Sequence, residues 1–187
     1  MIKLRPLIQE KTVYHGTISD FVDAIEKSGI LKSPRAGAKK ISGGLTTEMG
    51  MIWVTPEFDI ANQFAHGWEL KMWGDPEILV RKGVKADYGG VFEIELEDNI
   101  KLIDRNAPLT QAQVDILNKK YIPHYKQLKV GDALSNAEHR IQNPTQLHDL
   151  ILALGYDGIV YANGAQIGIA SDNLPIKVLH KKPIKGW

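Results

Sequence analysis

Residues 12 to 17, Thr-Val-Tyr-His-Gly-Thr, set a histidine, a glycine and a hydroxyl residue at the end of an apolar stretch near the N-terminus. A pocket can begin at such a strand end. The strand holds the His15 ring rigidly, Gly16 lets a ligand approach the backbone closely, and Thr17 adds a hydroxyl that donates or accepts. Taken alone, the tripeptide fits an ordinary strand end followed by a turn equally well.

Other chemistries find less support in the residues. His66, His124, His139, His148 and His180 stand in no paired ligand spacing and His-Glu-x-x-His does not occur, so no metal site is expected. The absence of cysteine excludes disulfides and thiolate catalysis, and suits a reducing, cytoplasmic setting. Glu93 and Glu95 alternate with Phe92, Ile94 and Leu96, which makes them the polar face of a half-buried strand rather than a catalytic pair. A net charge of +1 lacks the basic excess of a nucleic-acid binder, and Lys39-Lys40 and Lys119-Lys120 read as solvated surface. Met1 to Glu10 mixes charges with a proline and has no long apolar run, so it reads neither as a signal peptide nor as a membrane span.

The elements that must position His15 follow from local patterns. Length 187, with 43% apolar and 24% charged residues, fits one soluble globular domain over 1–187. A helix is expected over Ser19 to Ser28, with Phe21, Ala24 and Ile25 on one face and Gly29 ending it. Residues 32 to 49, rich in glycine, lysine and hydroxyls, read as a loop over the site. Met51 to Val54 is a short strand, after which Thr55 is a good N-cap, Pro56 a good first helical residue and Glu57 suits the helix's positive end. Ile60, Ala61 and Phe64 then share a face. Residues 66 to 90, with Trp68, Trp73 and Tyr88, form an aromatic-bearing insertion suited to target recognition or to packing. Asn143-Pro144 opens a helix with a stripe of Leu147, Leu150, Ile151 and Leu154, closed by Gly155. Gly155 to Lys177 reads as a strand, a glycine turn, a second short apolar stretch and a last strand.

The segments 12–17, 50–65 and 155–177, in this order, resemble the ADP-ribosyltransferase superfamily of the diphtheria-toxin and poly(ADP-ribose) polymerase type. The phrase Gly-Tyr-Asp-Gly-Ile-Val-Tyr with a closing Pro-Ile-Lys-Val is similar to small bacterial and phage members. The resemblance implies an α+β fold with two small sheets around an NAD cleft, flanked by helices. It makes His15 the group that holds a ribose hydroxyl of NAD, with Tyr14 beside it, Gly16 the backbone that hydrogen-bonds the nicotinamide amide, and Thr17 a supporting hydroxyl. Trp53 falls where the family usually has a tyrosine and Phe64 where a second aromatic packs on the nicotinamide. Trp for Tyr is physically acceptable, because a pyridinium cation is well held between π faces and tryptophan offers the strongest one. Core packing is the competing reading of both rings.

The third motif departs from the family. No glutamate follows Asp157, so the usual catalytic carboxylate is absent from its strand. An ungapped count back from Pro175-Ile176-Lys177 puts Ile167 in that place, and a one-residue bulge puts Gln166 there. In the family an aliphatic residue here goes with mono-transferases or inactive members, whereas Gln166 can hydrogen-bond the ribose without the charge; Gln166 is the preferred reading.

The resemblance thus implies an NAD-dependent mono-ADP-ribosyltransferase, using NAD as substrate and no metal. Its target is macromolecular, a protein ahead of a nucleic acid, with no membrane partner and the chain acting as a monomer. Two alternatives stand beside it. One is a degenerate module that binds NAD or ADP-ribose without catalysis; the other is an RNA 2′-phosphotransferase, disfavoured because Arg35, Arg81, Arg105 and Arg140 lie away from the motif segments.

Overall fold

The computed structural model describes residues 12–33, 50–67, 88–120, 129–130, 145–161 and 164–181. Of the expected loop over 32–49, Lys32 instead ends a short strand and Ser33 is buried; residues 34–49, most of the insertion with Trp68 and Trp73, Lys39-Lys40, Asn143-Pro144 and the side chain of Leu147 lie outside the described residues.

The expected N-terminal strand is β1 (Thr12–Ile18), and it does not end at the His-Gly-Thr triplet but runs through it. Helix α1 (Ser19–Ser28) follows at once. Gly29 closes it in the left-handed region at φ 68°, its N–H donating to the Ile25 carbonyl, a conformation glycine adopts without the Cβ penalty. The buried face of α1 differs from expectation. Val22 is its buried residue, Phe21 and Ile25 are half-buried, and Ala24 is exposed.

β2 (Ile30–Lys32) pairs with β8 (Asn173–Pro175) in a two-stranded ribbon. β1, β4 (Tyr88–Glu95) and β9 (Val178–His180) form an antiparallel three-stranded sheet in the order β1-β4-β9. As the alternation requires, Phe92, Ile94 and Leu96 are buried, while Glu93 and Glu95 face His180 and Lys177 at 3.3 and 2.8 Å. A four-stranded sheet has the order β3 (Ile52–Val54), β7 (Gln166–Ile169), β6 (Gly158–Tyr161), β5 (Leu102–Asp104), with only β5 and β6 parallel.

Three more helices complete the described elements: α2 (Phe58–Ala65), α3 (Gln111–Lys120) and α4 (Thr145–Ala153). The architecture is α+β, several small sheets with a few helices. Helix α3 has a local signal of its own, a Thr-x-x-Gln capping box. The Gln113 N–H donates to Thr110 Oγ1 at 3.3 Å, and Thr110 N–H donates to Gln113 Oε1 at 3.0 Å. In α4, Leu150 and Ile151 are buried, as is Leu154 just beyond it, and Gly155 at φ 86° ends the helix as expected.

The start of α2 corrects the sequence reading. Thr55 does not cap the helix, which begins at Phe58 with Glu57 in the cap position. Thr55 instead prolongs β3, exchanging two backbone hydrogen bonds with Tyr14 at 2.7 and 2.9 Å, and its Oγ1 accepts from the Glu57 N–H at 3.1 Å. Two long-range backbone bonds outweigh one cap, which contributes about 1 kcal/mol. The buried face of α2 moves accordingly to Ala61, Asn62 and Ala65, leaving Ile60 and Phe64 half-buried.

Two cores flank the four-stranded sheet. One joins Val13, Phe92 and Ile94 to Ile52, Val54, Ile167 and Ile169. The other gathers Met51, Ile103 and Ile159 under Val114 and Leu117 of α3 and Leu150 and Ile151 of α4. A third, smaller cluster sets Ala61 and Ala65 of α2 against Val91. Asn62 of α2 is fully buried, and among the described residues neither its amide oxygen nor its nitrogen has a hydrogen-bond partner. Such an orphaned amide costs about 1–3 kcal/mol. Asn62→Leu, close in volume, is therefore expected to raise urea-unfolding stability by about that amount; a loss of stability instead would mean that the amide is satisfied in solution.

Candidate functional site

Peptide groups along a strand turn to alternate edges. His15 and Thr17 turn theirs to β4, so Tyr14 and Gly16 turn theirs to the opposite edge, where Tyr14 meets Thr55 of β3. No second bridge continues the β1–β3 pairing among the described residues, so the two strands part beyond Tyr14. Gly16 is the next outward-turned residue. Its N–H and carbonyl stand at the mouth of this split.

His15 bridges the split. Its Nδ1 lies 2.7 Å from the Trp53 carbonyl, which accepts only if Nδ1 carries the proton. Burial pushes the imidazole pKa down from the ordinary 6.5, outweighing the opposite pull of the Trp53 hydrogen bond. The ring is therefore neutral at pH 7, with Nδ1–H donating and Nε2 left as an acceptor. Of the site residues on β1, Thr17 follows on the same face as His15, whereas Tyr14 lies on the other, its ring edge-to-face with Phe58 at 5.3 Å.

The side of Gly16 that lacks a Cβ does not face the split. It faces α2, and a Cβ built there would collide with the Ala61 carbonyl and crowd the Ala65 nitrogen. The glycine thus meets a packing requirement between strand and helix, and the ligand approach the sequence suggested is left to the peptide edge.

Trp53 and Gln166 are set by the pairing of β7. Trp53 opposes Gly168 and Tyr161 opposes Gln166, so Trp53, Gln166 and Tyr161 share one face of the sheet, with Gly168 beneath the indole. The Trp53 and Tyr161 rings meet edge-on at 5.4 Å. Ile167 turns the other way and is fully buried in the core between the sheets. A one-residue slip would bury Gln166 and expose Ile167 and Ile169, each of which contributes about 1.5–3 kcal/mol by burial, so this register is strongly held. Of the two readings of the third motif, Gln166 is half-buried at the end of β7 beside Tyr161, and Ile167 has no surface with which to meet a ligand.

No family model, curated protein or solved structure matches this chain.

Phe64 is placed by the orientation of α2. Phe58 meets His180 of β9 at 5.4 Å and His66 meets Tyr88 of β4 at 4.7 Å, so that flank of the helix looks toward β4 and β9. The helical repeat sets Ile60 and Phe64, both half-buried, on the flank of α2 opposite those two rings.

Arg105, far from the motif segments in sequence, lies against one of them in the tertiary structure. It follows β5 directly, its N–H donates to the Val160 carbonyl at 3.3 Å, and its guanidinium carbon lies 5.1 Å from the centre of the Tyr161 ring. Sequence offered no sign of this, because 56 residues separate Arg105 from Tyr161. Arg35, Arg81 and Arg140 lie outside the described residues. Among the described residues no group of three His, Asp or Glu gathers as a metal site, and no helix is long and apolar enough to cross a membrane.

Proposed function

We propose that this chain is an NAD-dependent mono-ADP-ribosyltransferase on an ADP-ribosyltransferase fold, acting in the cytoplasm as a monomer on a macromolecular target, a protein in our reading. The observation that carries the proposal is the hydrogen bond from His15 Nδ1–H to the Trp53 carbonyl at the split between β1 and β3. It commits Nε2 to accepting, which suits a ribose hydroxyl. The outward N–H and carbonyl of Gly16 match the carbonyl and NH2 of a primary carboxamide such as that of nicotinamide. In this reading Trp53, half-buried against the helix-covered core, and Phe64, half-buried on α2, are the rings that meet the cationic pyridinium.

Breaking the nicotinamide–ribose bond passes through an oxocarbenium-like ribose, and the leaving group is activated by its own charge, so no general acid is needed. The work left to the protein is to fix the pose and to stabilise the developing charge. His15 orients the ribose, Gly16 holds the carboxamide, and Gln166 supplies its amide oxygen near the reacting carbon. The test is incubation with NAD labelled in the adenosine half, following both free nicotinamide and label on macromolecules. Release of nicotinamide with label transferred supports the enzyme. Because Gln166 carries no charge, a binding module is the second reading, and tight NAD binding without any nicotinamide release would select it.

The His15 geometry has its own expected result. His15→Ala should weaken NAD binding about tenfold or more by calorimetry, since it removes the proposed ribose acceptor together with the hydrogen bond that orients it. In the parent protein affinity should hold at neutral pH and fall as pH drops through the lowered folded pKa, below 6.5, where protonation turns Nε2 into a donor and repels the pyridinium. Unchanged affinity in the variant would remove His15 from the site.

A further inference from the structure

Gly168 lies inside β7, buried, with Ile167 before it and Ile169 after it. A glycine within a strand loosens it and contributes no side chain to the packing. Its backbone does not require one, because Gly168 has no positive φ and its conformation is open to any residue. Space is what the position provides. A Cβ built at Gly168 would lie 3.2 Å from Trp53 Cη2, the far tip of the indole, 3.2 Å from Met51 Sδ and 3.3 Å from Met51 Cε. Each is tighter than the separation of about 3.5–4.0 Å at which carbon atoms attract best. Gly158, the neighbouring strand glycine, differs in kind, since its Cβ would strike the Gly168 carbonyl at 2.5 Å and so disturb the ladder itself.

The side chains around Gly168 do not yield alike. Met51 ends in a flexible thioether that can turn aside. The indole is a rigid plate, and the backbone that carries it is held twice: Trp53 is paired with Gly168 in the β3–β7 ladder, and its carbonyl accepts from His15 Nδ1 at 2.7 Å. Its ring also meets the Tyr161 ring edge-on at 5.4 Å. A methyl group at position 168 therefore displaces the ring and not the strand, lifting the indole from β7 by a few tenths of an ångström.

We propose that Gly168 is a positioning residue for NAD, letting the Trp53 indole lie close against β7 at the height where it meets the pyridinium; this rests on the NAD reading above. Tryptophan and glycine act as one unit here. The atom that needs the space, Cη2, exists in tryptophan and in neither phenylalanine nor tyrosine, so the wider ring at position 53 depends on an empty site across the ladder.

The test is a double-mutant cycle on the full chain, with NAD affinity read by calorimetry and folding by thermal melting. Gly168→Ala should weaken NAD binding about two- to thirtyfold, the range that one cation–π contact spans. In a Trp53→Phe background, where a ring remains but Cη2 does not, adding Gly168→Ala should change affinity by less than about twofold. Equal losses in both backgrounds, parent affinity in Gly168→Ala, or relief by Met51→Leu in place of Trp53→Phe overturns the proposal. Should Gly168→Ala fail to fold, Trp53→Phe should restore folding and the double variant should bind NAD as Trp53→Phe does; no restoration overturns the proposal too. A parent protein that binds no NAD removes the NAD reading and this proposal with it, whereas binding that is lost in His15→Ala yet untouched by Gly168→Ala removes this proposal alone.

Discussion

Gly16→Ala is expected to destabilise the protein by on the order of 3 kcal/mol, seen as a large fall in melting temperature and in the urea midpoint. The added methyl meets backbone atoms of α2, the Ala61 carbonyl and the Ala65 nitrogen, not the tip of a side chain that could swing away. Relief requires the helix to lift from β1, which opens the contact of Ala61 and Ala65 with Val91. Gly90 provides the contrast, since its nearest neighbour is the flexible Leu179 Cδ1 at 2.8 Å, and Gly90→Ala should cost less. A Gly16→Ala variant that melts like the parent but loses NAD affinity would show that the glycine is kept for a ligand alone and that α2 does not sit as described.

On the proposed transferase reading, Gln166→Ala should lower the rate of nicotinamide release about ten- to a thousandfold while leaving NAD affinity nearly intact. The amide contact strengthens mainly as positive charge develops on the ribose, so its loss falls on kcat rather than on binding. Gln166→Glu should retain or raise the rate, because a carboxylate stabilises that charge directly, and it should also raise hydrolysis of NAD by giving water a base. Substitution of Ile167 works through the core. Ile167→Ala should lower stability by about 2–5 kcal/mol and affect catalysis only as the fold loosens. A wild-type rate in Gln166→Ala, with Ile167 variants that keep their stability but change the rate, would reverse the assignment.

Much of the secondary structure follows from short-range physics that a sequence displays. The bounds of α1, its closure at Gly29, the alternation of Phe92 to Leu96 and the apolar stripe ending at Gly155 depend on periodicity, capping and a left-handed terminus within a few residues. The capping box at Thr110 and Gln113 belongs to the same class of signal. Thr55 shows where such signals fail. Its composition suits a helix cap, yet pairing with Tyr14, 41 residues earlier, extends the strand and delays the helix to Phe58.

The sequence by itself determined the histidine, glycine and aromatic types on which the proposed NAD site rests, the lack of a glutamate after Asp157, and many of the strands and helices that carry them, because those properties reside in residue chemistry and local repeat. Only the tertiary structure decided the rest. Strand register buried Ile167 and left Gln166 half-exposed, because adjacent residues face opposite sides of a sheet and one side is core. Helix packing made Gly16 a steric necessity, and the parallel pairing of β5 with β6 brought Arg105 to Tyr161. Each of these depends on contacts between segments far apart in the chain, whose energies no local pattern records.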